Sequence, residues 1–452
     1  MKILLVQPEV SSDAIVGDLL LMEPLALEYL AGGLKSDHNV RLLDLRFDNN
    51  LERVLEDFYP DIVGTTGYTV HVKRCKDILE KVKQFNKDIV TVIGGHHATV
   101  APQDFYEPFI DIIVIGEGVF TMKEISETLE DKGDLKKING LAIRENGRFH
   151  RTSARTNIDL DSLPFPDRSC NPSHRDRYSL GTEKPVALLR TSLGCAFKCI
   201  YCAQWKISGE KYLTRKPKSI LEELSTIKEP YIFFADDEAF LDADRMMELA
   251  RLIKEVGIKK KYHLYARADT IAKNPNLIEK WKEIGLSFIA VGFEAFSDKE
   301  LEYLNKRTTV DTNHEAINII KENNIVLYAN FIVRPDFTRE DFHRLKGYVR
   351  EKKLYNPKFP IYTPFPGTDY YESVKSKITS GDYELYDFKH ALTPTKLPIK
   401  EFYQEYINLQ EHTVPRPRAY LDLIKRPLAG IIPLILKRKK SVSNMRKDYG
   451  LD

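Results

Sequence analysis

Two consecutive β/α domains followed by a mainly helical extension, an α/β fold, are predicted for this chain. Three observations carry the prediction. Short β-branched runs alternate with helix-length amphipathic segments up to about residue 150, the alternation restarts near residue 185 after a proline-rich gap, and it stops near residue 375. A length of 452 residues also calls for more than one core.

The first series reads "KILLV", "VRLLDL", "DIVGTT", "DIVTVIGG" and "DIIVIGEG", a parallel, doubly wound, Rossmann-like sheet over residues 1–150. A hairpin closes it, with Asn146-Gly147 as the tight turn between "LAIR" and "RFHR". Residues 151–184 hold Pro164, Pro166 and Pro172 with little periodicity and read as a linker or crossing strap. The second series, residues 185–375, runs through "PVALLR", "YIFFAD", "YHLYAR", "SFIAVGFE", "IVLYANFIV" and "KFPIYTP". Six strands fit a partial (β/α)6 barrel better than a closed eight-stranded one. Residues 376–452 form the extension.

Composition narrows the function classes. Hydrophobic residues at 42% and charged residues at 30% describe a folded chain, and a formal net charge of +2 gives no global attraction to nucleic acid. The N-terminal "MKILLVQPEV" reads as a buried strand and not as a secretory signal, so a cytoplasmic location is expected. Of five cysteines, Cys195, Cys199 and Cys202 fall within eight positions, in the loop after the first barrel strand. That is where β/α barrels put their chemistry. Three thiolates at this spacing can hold one face of an iron–sulfur cube and leave the fourth iron without a protein ligand. A structural zinc site is the alternative, but it requires four closed ligands, and no fourth Cys or His stands nearby in sequence.

The pattern Cys195, three residues, Cys199, one residue, Tyr201 and Cys202 resembles the signature of the radical S-adenosylmethionine enzymes. The resemblance implies a 4Fe-4S cluster whose open iron chelates S-adenosylmethionine, reductive cleavage to a 5′-deoxyadenosyl radical, and hydrogen abstraction from an unactivated carbon. It also implies an external electron donor of flavodoxin or ferredoxin type. Against that family, Asp236, Asp237 and Glu238 in "FFADDEAF" occupy the position that binds the methionine ammonium, although the family's usual glycines are missing. The same acids would suit a solvated loop or the N-cap of the next helix. Arg267 at the end of the third strand suits the methionine carboxylate, or a surface role. Glu294 in "AVGFEAF" matches the family's Gly-x-Glu segment, and Val333 and Arg334 lie on the strand corresponding to the adenine-contacting one, with core packing as the alternative. Tyr262, Tyr265 and Tyr328 are pocket or core residues by strand position. "TPFPGTDYY" reads as architecture. No general base is identified.

In the first domain, the loops at the C-terminal ends of the strands carry Thr65, Thr66, Gly67 and Tyr68, then Gly94, Gly95, His96, His97 and Thr99, then Gly116, Glu117 and Gly118. Glycines admit close approach and hydroxyls offer hydrogen bonds. The arrangement is similar to the cobalamin-binding domain that precedes the radical domain in one branch of the family, which implies Thr65, Thr66, Gly67, Tyr68, Gly94, Gly95, His96, His97, Thr99 and Glu117 as the cobalamin contacts; the Gly-Gly-His-His run alone would equally suit a strand-to-helix turn. There is no Asp-x-His-x-x-Gly motif to give cobalt a histidine ligand. Two such cofactors together imply methyl transfer from methylcobalamin to an unactivated carbon. A cyclase or rearrangement enzyme without methyl transfer, and a non-catalytic corrinoid- or metal-binding sensor, are the alternatives.

Residues 414–447 combine ten Lys and Arg with the apolar run "PLAGIIPLIL". This is too short to span a bilayer, and suits either a peripheral contact with the inner face of the membrane or an amphipathic helix packed on the barrel. A nucleic-acid arm would leave the apolar run without a role. With this tail, "RTSLGCAFKCIYCAQW", "FADDEAFLDADRMMELA" and "NFIVRPDFTREDF" look similar to hopanoid C-3 methylases, which implies a hopanoid or related isoprenoid lipid as substrate.

Overall fold

The computed structural model describes residues 1–9, 20–156, 158–412, 440 and 442–451. Its first sheet is built from β1 (Lys2–Gln7), β2 (Asn39–Asp44), β3 (Ile62–Thr66), β4 (Val90–Gly94), β5 (Ile112–Val114) and the hairpin β6 (Leu141–Glu145) and β7 (Arg148–Arg151). The spatial order is β2-β1-β3-β4-β5-β6-β7, parallel through β5 and antiparallel beyond it. Asn146 and Gly147 both have positive φ, 50° and 78°, as a primed hairpin turn requires. The strand order reverses between β1 and β3, and a ligand of an open α/β sheet binds at that crevice. Helices α1 (Leu25–Leu34), α2 (Leu51–Phe58), α3 (Val72–Phe85), α4 (His96–Val100) and α5 (Val119–Glu130) cover the two faces.

The second sheet is parallel throughout, in sequential order: β8 (Val186–Leu189), β9 (Tyr231–Phe234), β10 (Lys261–Ala266), β11 (Leu286–Glu294), β12 (Val326–Phe331) and β13 (Pro357–Lys358). Six parallel strands in chain order make the open barrel that the alternation predicts. The two faces divide the side chains by period 2. On β10, Tyr262, Leu264 and Ala266 are buried in the core against the surrounding helices, while Tyr265 lies on the other face, 39% exposed. Tyr262 is therefore core. On that inner face Phe233 meets Tyr265 edge-on at 5.3 Å and Phe288 meets Tyr328 at 4.5 Å, so the bore is lined by aromatic rings.

A strap joins the two sheets through buried ion pairs. Arg175 donates to Glu28 at 3.0 Å and to Glu229 at 2.8 Å and also pairs with Glu23, while Arg168 reaches Glu223 at 3.0 Å and the Leu188 carbonyl at 2.6 Å. Burial and the neighbouring Glu23 hold the Glu28 carboxyl well above the usual carboxylate range. The turn in "TPFPGTDYY" also packs between the domains: Gly367 has φ 87°, and a Cβ there would lie 2.7 Å from Val100.

The extension is helical. Helix Ile399–His412 sends Phe402, Tyr403, Tyr406 and Ile407 into the barrel core, with the Tyr406 hydroxyl on the Phe359 carbonyl at 2.8 Å. Tyr449 stacks on Tyr403 at 3.5 Å, and Val442 and Met445 are buried beside it. The tail's apolar run and most of its basic residues lie outside the described residues. Among the described residues no helix is long and apolar enough to cross a membrane.

Candidate active site

The cysteine loop follows β8 and ends in helix α6 (Gln204–Ile207). All three thiols are free of disulfides, with Cys199 buried and its neighbours half-buried. Burial pushes the Cys195 thiol up and the Cys202 thiol up to about 12, so ligation has to displace protons. The loop is pinned from all sides. Trp205 Nε1 donates to the Cys199 carbonyl at 3.3 Å, Asn305 to the Lys198 carbonyl at 2.6 Å, and the Tyr370 amide to the Ile200 carbonyl at 2.9 Å.

The three adjacent acids after β9 divide their work. Asp236 accepts from the Thr191 amide at 2.7 Å and the Ser192 amide at 3.0 Å. Asp237 accepts from the Gly194 amide at 2.8 Å and from Gln204 at 2.5 Å. Both staple the cysteine loop, and the N-cap of the next helix (Ala243–Val256) is Asp242. Glu238 is different: Oε2 accepts from the Arg267 amide at 2.5 Å, while the buried Oε1 meets no hydrogen-bond partner. Burial raises its carboxyl to about 7. A buried carboxylate oxygen without a donor is what a bound ammonium would satisfy.

Arg267 is buried, not on the surface. Its Nε donates to Asp269 at 2.8 Å, one terminal nitrogen to the Lys306 carbonyl at 2.5 Å, and the other lies 3.8 Å from Cys199 Sγ. Its plane sits 3.5 Å from the Phe197 ring centroid. Glu294 ends β11 with φ 66° and accepts from Tyr201 at 3.0 Å and Lys306 at 3.2 Å. Val333 is buried in the core, its amide on Pro360 and its carbonyl under Tyr362, and Arg334 stacks on Tyr303 while pairing with Asp336. Tyr201, Glu238, Arg267 and Glu294 thus gather around the cysteine loop, whereas Val333 meets the site through backbone that is already engaged.

The edge of the first domain faces this loop. Tyr68 leaves 64% of its surface uncovered while standing within electrostatic reach of Arg190 and Asp237 of the second domain. It therefore projects into the cleft between the domains. His96 lies 5.4 Å from the Tyr68 ring and within electrostatic reach of Asp237 across the cleft, its helix meets the Gln204–Ile207 helix, and burial lowers its pKa. Other residues of this edge build the loops themselves. Thr65 donates to the Val6 carbonyl at 2.9 Å; Thr99 bonds the Gly95 carbonyl at 2.8 Å and accepts from the Gly116 amide at 3.1 Å. Glu117 caps the amides of Val119 and Phe120. His97 has both nitrogens engaged, with Thr69 at 3.1 Å and Asp104 at 3.0 Å. Gly95, at φ 94°, touches the 65–68 loop so closely that a Cβ would lie 2.2 Å from Thr66 Oγ1, and Gly67 and Gly94 complete the backbone of the edge.

Residues 18–126 match the B12 binding domain and residues 189–349 match the Radical SAM superfamily. Over 87% of its length the chain is 32% identical to the hopanoid C-3 methylase of Methylococcus capsulatus, covering 76% of that protein. The chain belongs to the B12-binding radical S-adenosylmethionine enzymes. An uncharacterized methyltransferase of Pyrococcus horikoshii is 30% identical over 82% of the chain and 83% of the relative. The anaerobic magnesium-protoporphyrin IX monomethyl ester cyclase of Rubrivivax gelatinosus is 30% identical over 88% of the chain and 74% of the relative. Among solved structures, the cobalamin-dependent S-adenosylmethionine radical enzyme OxsB superposes with a TM-score of 0.71 over 98% of this chain and 71% of that one, at 17% identity. The radical S-adenosylmethionine methyltransferase TsrM of Kitasatospora setae gives 0.69 over 90% and 88%, also at 17% identity, so the whole two-domain fold is shared. By its relatives, this B12-binding radical enzyme is placed in the methyltransferase family.

The family implies a 4Fe-4S cluster, S-adenosylmethionine and cobalamin, and the residues present fit all three. Three free thiols with an N–H beside one sulfur suit a cubane. The orphaned oxygen of Glu238 suits an ammonium group. The uncovered Tyr68 and the open space over Gly116, where a Cβ would meet no atom within 4 Å, suit a large ligand on the edge of the first domain. Sequence reasoning missed Lys306 and Gln204, which complete the site. Gln204 stands two residues after Cys202 and was accessible from that spacing, but nothing in "LNKRTT" marks Lys306.

Proposed function

We propose that this enzyme methylates an unactivated carbon of a hopanoid or related isoprenoid lipid. The observation that carries the reading is that the cysteine loop and the cobalamin-domain edge face one cleft, with Tyr68 and His96 on one side and Asp237 and the Gln204–Ile207 helix on the other. When bound, the cluster and S-adenosylmethionine supply a hydrogen-abstracting radical and methylcobalamin supplies the methyl group. The chain's part is positioning. Cys195, Cys199 and Cys202 hold the cluster, and Asp236, Asp237 and Gln204 fix the loop that presents them. Glu238 Oε1 receives the methionine ammonium; the Tyr201, Glu294 and Lys306 group orders the nucleoside side; Arg267 and Val333 frame the pocket. Thr65, Thr66, Gly67, Tyr68, Gly94, Gly95, His96, His97, Thr99 and Glu117 form or support the corrinoid edge, without an Asp-x-His-x-x-Gly histidine. The bore rings Phe233, Tyr265, Phe288 and Tyr328 shield the reacting carbon from water and favour an apolar, rigid substrate.

The lipid assignment is supported by the identity to a hopanoid C-3 methylase and by the basic, apolar composition of residues 414–447, which suits contact with the inner face of a membrane. Electrons would come from a flavodoxin- or ferredoxin-type donor. The ester cyclase relatives favour a second reading, ring closure without methyl transfer. Methyl-labelled S-adenosylmethionine separates the two. Purified enzyme, reconstituted anaerobically with cobalamin, a low-potential reductant and a lipid extract, should place label in a hopanoid or isoprenoid product. A modified product without label would sink the methylase reading, and label only in a non-lipid product would sink the substrate class.

A further inference from the structure

Resting on the cluster reading above, we propose that Arg267 is a positioning residue for the iron–sulfur cluster: it donates an N–H to the Cys199 sulfur and raises the cluster's reduction potential. The geometry is specific to that task. The guanidinium plane lies 3.5 Å from the Phe197 centroid, so it is oriented by a residue of the cysteine loop itself. Asp269 closes the Nε edge at 2.8 Å, the Lys306 carbonyl holds one terminal nitrogen at 2.5 Å, and the other terminal nitrogen stands 3.8 Å from Cys199 Sγ. Glu238 fixes the backbone at the same residue by accepting its amide. Each terminal nitrogen already commits one hydrogen, so the bidentate fork that makes arginine a carboxylate receptor is no longer whole.

Reduction adds an electron to a cluster whose negative charge is carried largely by its sulfurs. Hydrogen bonds to those sulfurs stabilise the reduced form and move the potential upward. Asp269 acts in the opposite sense: its carboxylate lies on the guanidinium and offsets the cation's field. The pair is thus a tuned dipole. Removing Arg267 leaves an anion beside the cluster, whereas removing the Asp269 charge leaves an uncompensated cation.

The test is a potentiometric titration of full-length protein, reconstituted anaerobically with iron and sulfide, followed by the electron paramagnetic resonance signal of the reduced cluster. Arg267→Met should move the midpoint downward, Asp269→Asn upward, and Arg267→Lys should fall between wild type and Arg267→Met. A merely structural arginine would not give shifts of opposite sign. Midpoints unchanged in both, or moved the same way at full iron content, would overturn the proposal. If Arg267→Met fails to keep its iron, Asp269→Asn decides, and an unmoved or lowered potential overturns it. An unchanged potential with weakened S-adenosylmethionine binding in Arg267→Met would make the residue a carboxylate anchor instead. A wild-type chain that takes up no cubane would sink the cluster reading, a result distinguishable from all of these.

Discussion

The Tyr201 hydroxyl donates to Glu294 Oε1 across 3.0 Å, tying the aromatic residue between the second and third clustered cysteines to the last residue of β11. Lys306 closes the triangle at 3.2 Å to each partner. Glu294 holds a left-handed φ of 66°, a conformation that costs a non-glycine residue roughly 1–3 kcal/mol and persists where surrounding contacts over-determine it. Lys306 and Glu294 are both nearly covered, so removing one partner strands a buried charge, at about 3–5 kcal/mol. Glu294→Gln should therefore lower the thermal midpoint far more than Tyr201→Phe, which removes one hydrogen bond of roughly 1 kcal/mol. The double variant Glu294→Gln/Lys306→Met should be more stable than Glu294→Gln alone. Equal melting of the two would show that the pair is not the stabilising contact.

That triangle shows how far the sequence could be read. Both parallel sheets, the hairpin turn and the position of the cysteines follow from apolar alternation and spacing, because consecutive β/α units pack side by side with right-handed crossovers. Three adjacent acids do not disclose which one keeps an unbonded oxygen. That depends on how β9 ends against the Thr191–Gly194 loop, a tertiary fact. Lys306 lies 105 positions from Tyr201 in a polar turn with no periodicity, so only the folded chain brings it to the site. His97 illustrates the converse: a glycine-flanked His-His pair reads as ligand-facing, yet Thr69 and Asp104 occupy both of its nitrogens.

The engaged ring of His97 leads to a spectroscopic prediction. With Asp104 also held by the Tyr383 hydroxyl at 2.6 Å, the imidazole is part of the packing between the first domain and the extension. His97→Asn should reduce thermal stability by about 1–3 kcal/mol, the penalty for disrupting a buried hydrogen-bonded group. It should leave the cob(II)alamin spectrum of the loaded enzyme unchanged. Loss of a nitrogen splitting in the variant would instead identify His97 as a cobalt ligand.

Gly95 gives the test of the corrinoid edge. Alanine there meets two independent obstacles, a φ of 94° that L side chains rarely adopt and a Cβ 2.2 Å from Thr66 Oγ1. Gly95→Ala should displace the 65–68 loop and lower cobalamin retention after gel filtration by at least tenfold, with the iron content of the second domain unaltered. Adding Thr66→Ala relieves only the contact, so recovery should be partial. Full recovery would mean that backbone strain contributes nothing, and full retention in the single variant would remove this loop from the binding edge.

Protonation of His71 should uncouple the same loop at acid pH. Its Nδ1 accepts the Tyr68 amide at 3.1 Å, and burial lowers its pKa to about 4, well below the ordinary histidine value of about 6.5. A base whose pKa is depressed in the folded state contributes stability that is present above the unfolded pKa and is lost as pH falls through the folded one. The window is therefore pH 6.5 down to about 4. Across it, wild-type protein should lose more thermal stability and more bound cobalamin than His71→Gln, whose amide oxygen can still accept from Tyr68 but does not titrate. At pH 8 the two proteins should differ least in cobalamin binding. Parallel pH profiles for wild type and variant would show that the Tyr68 loop is held by something other than the neutral imidazole.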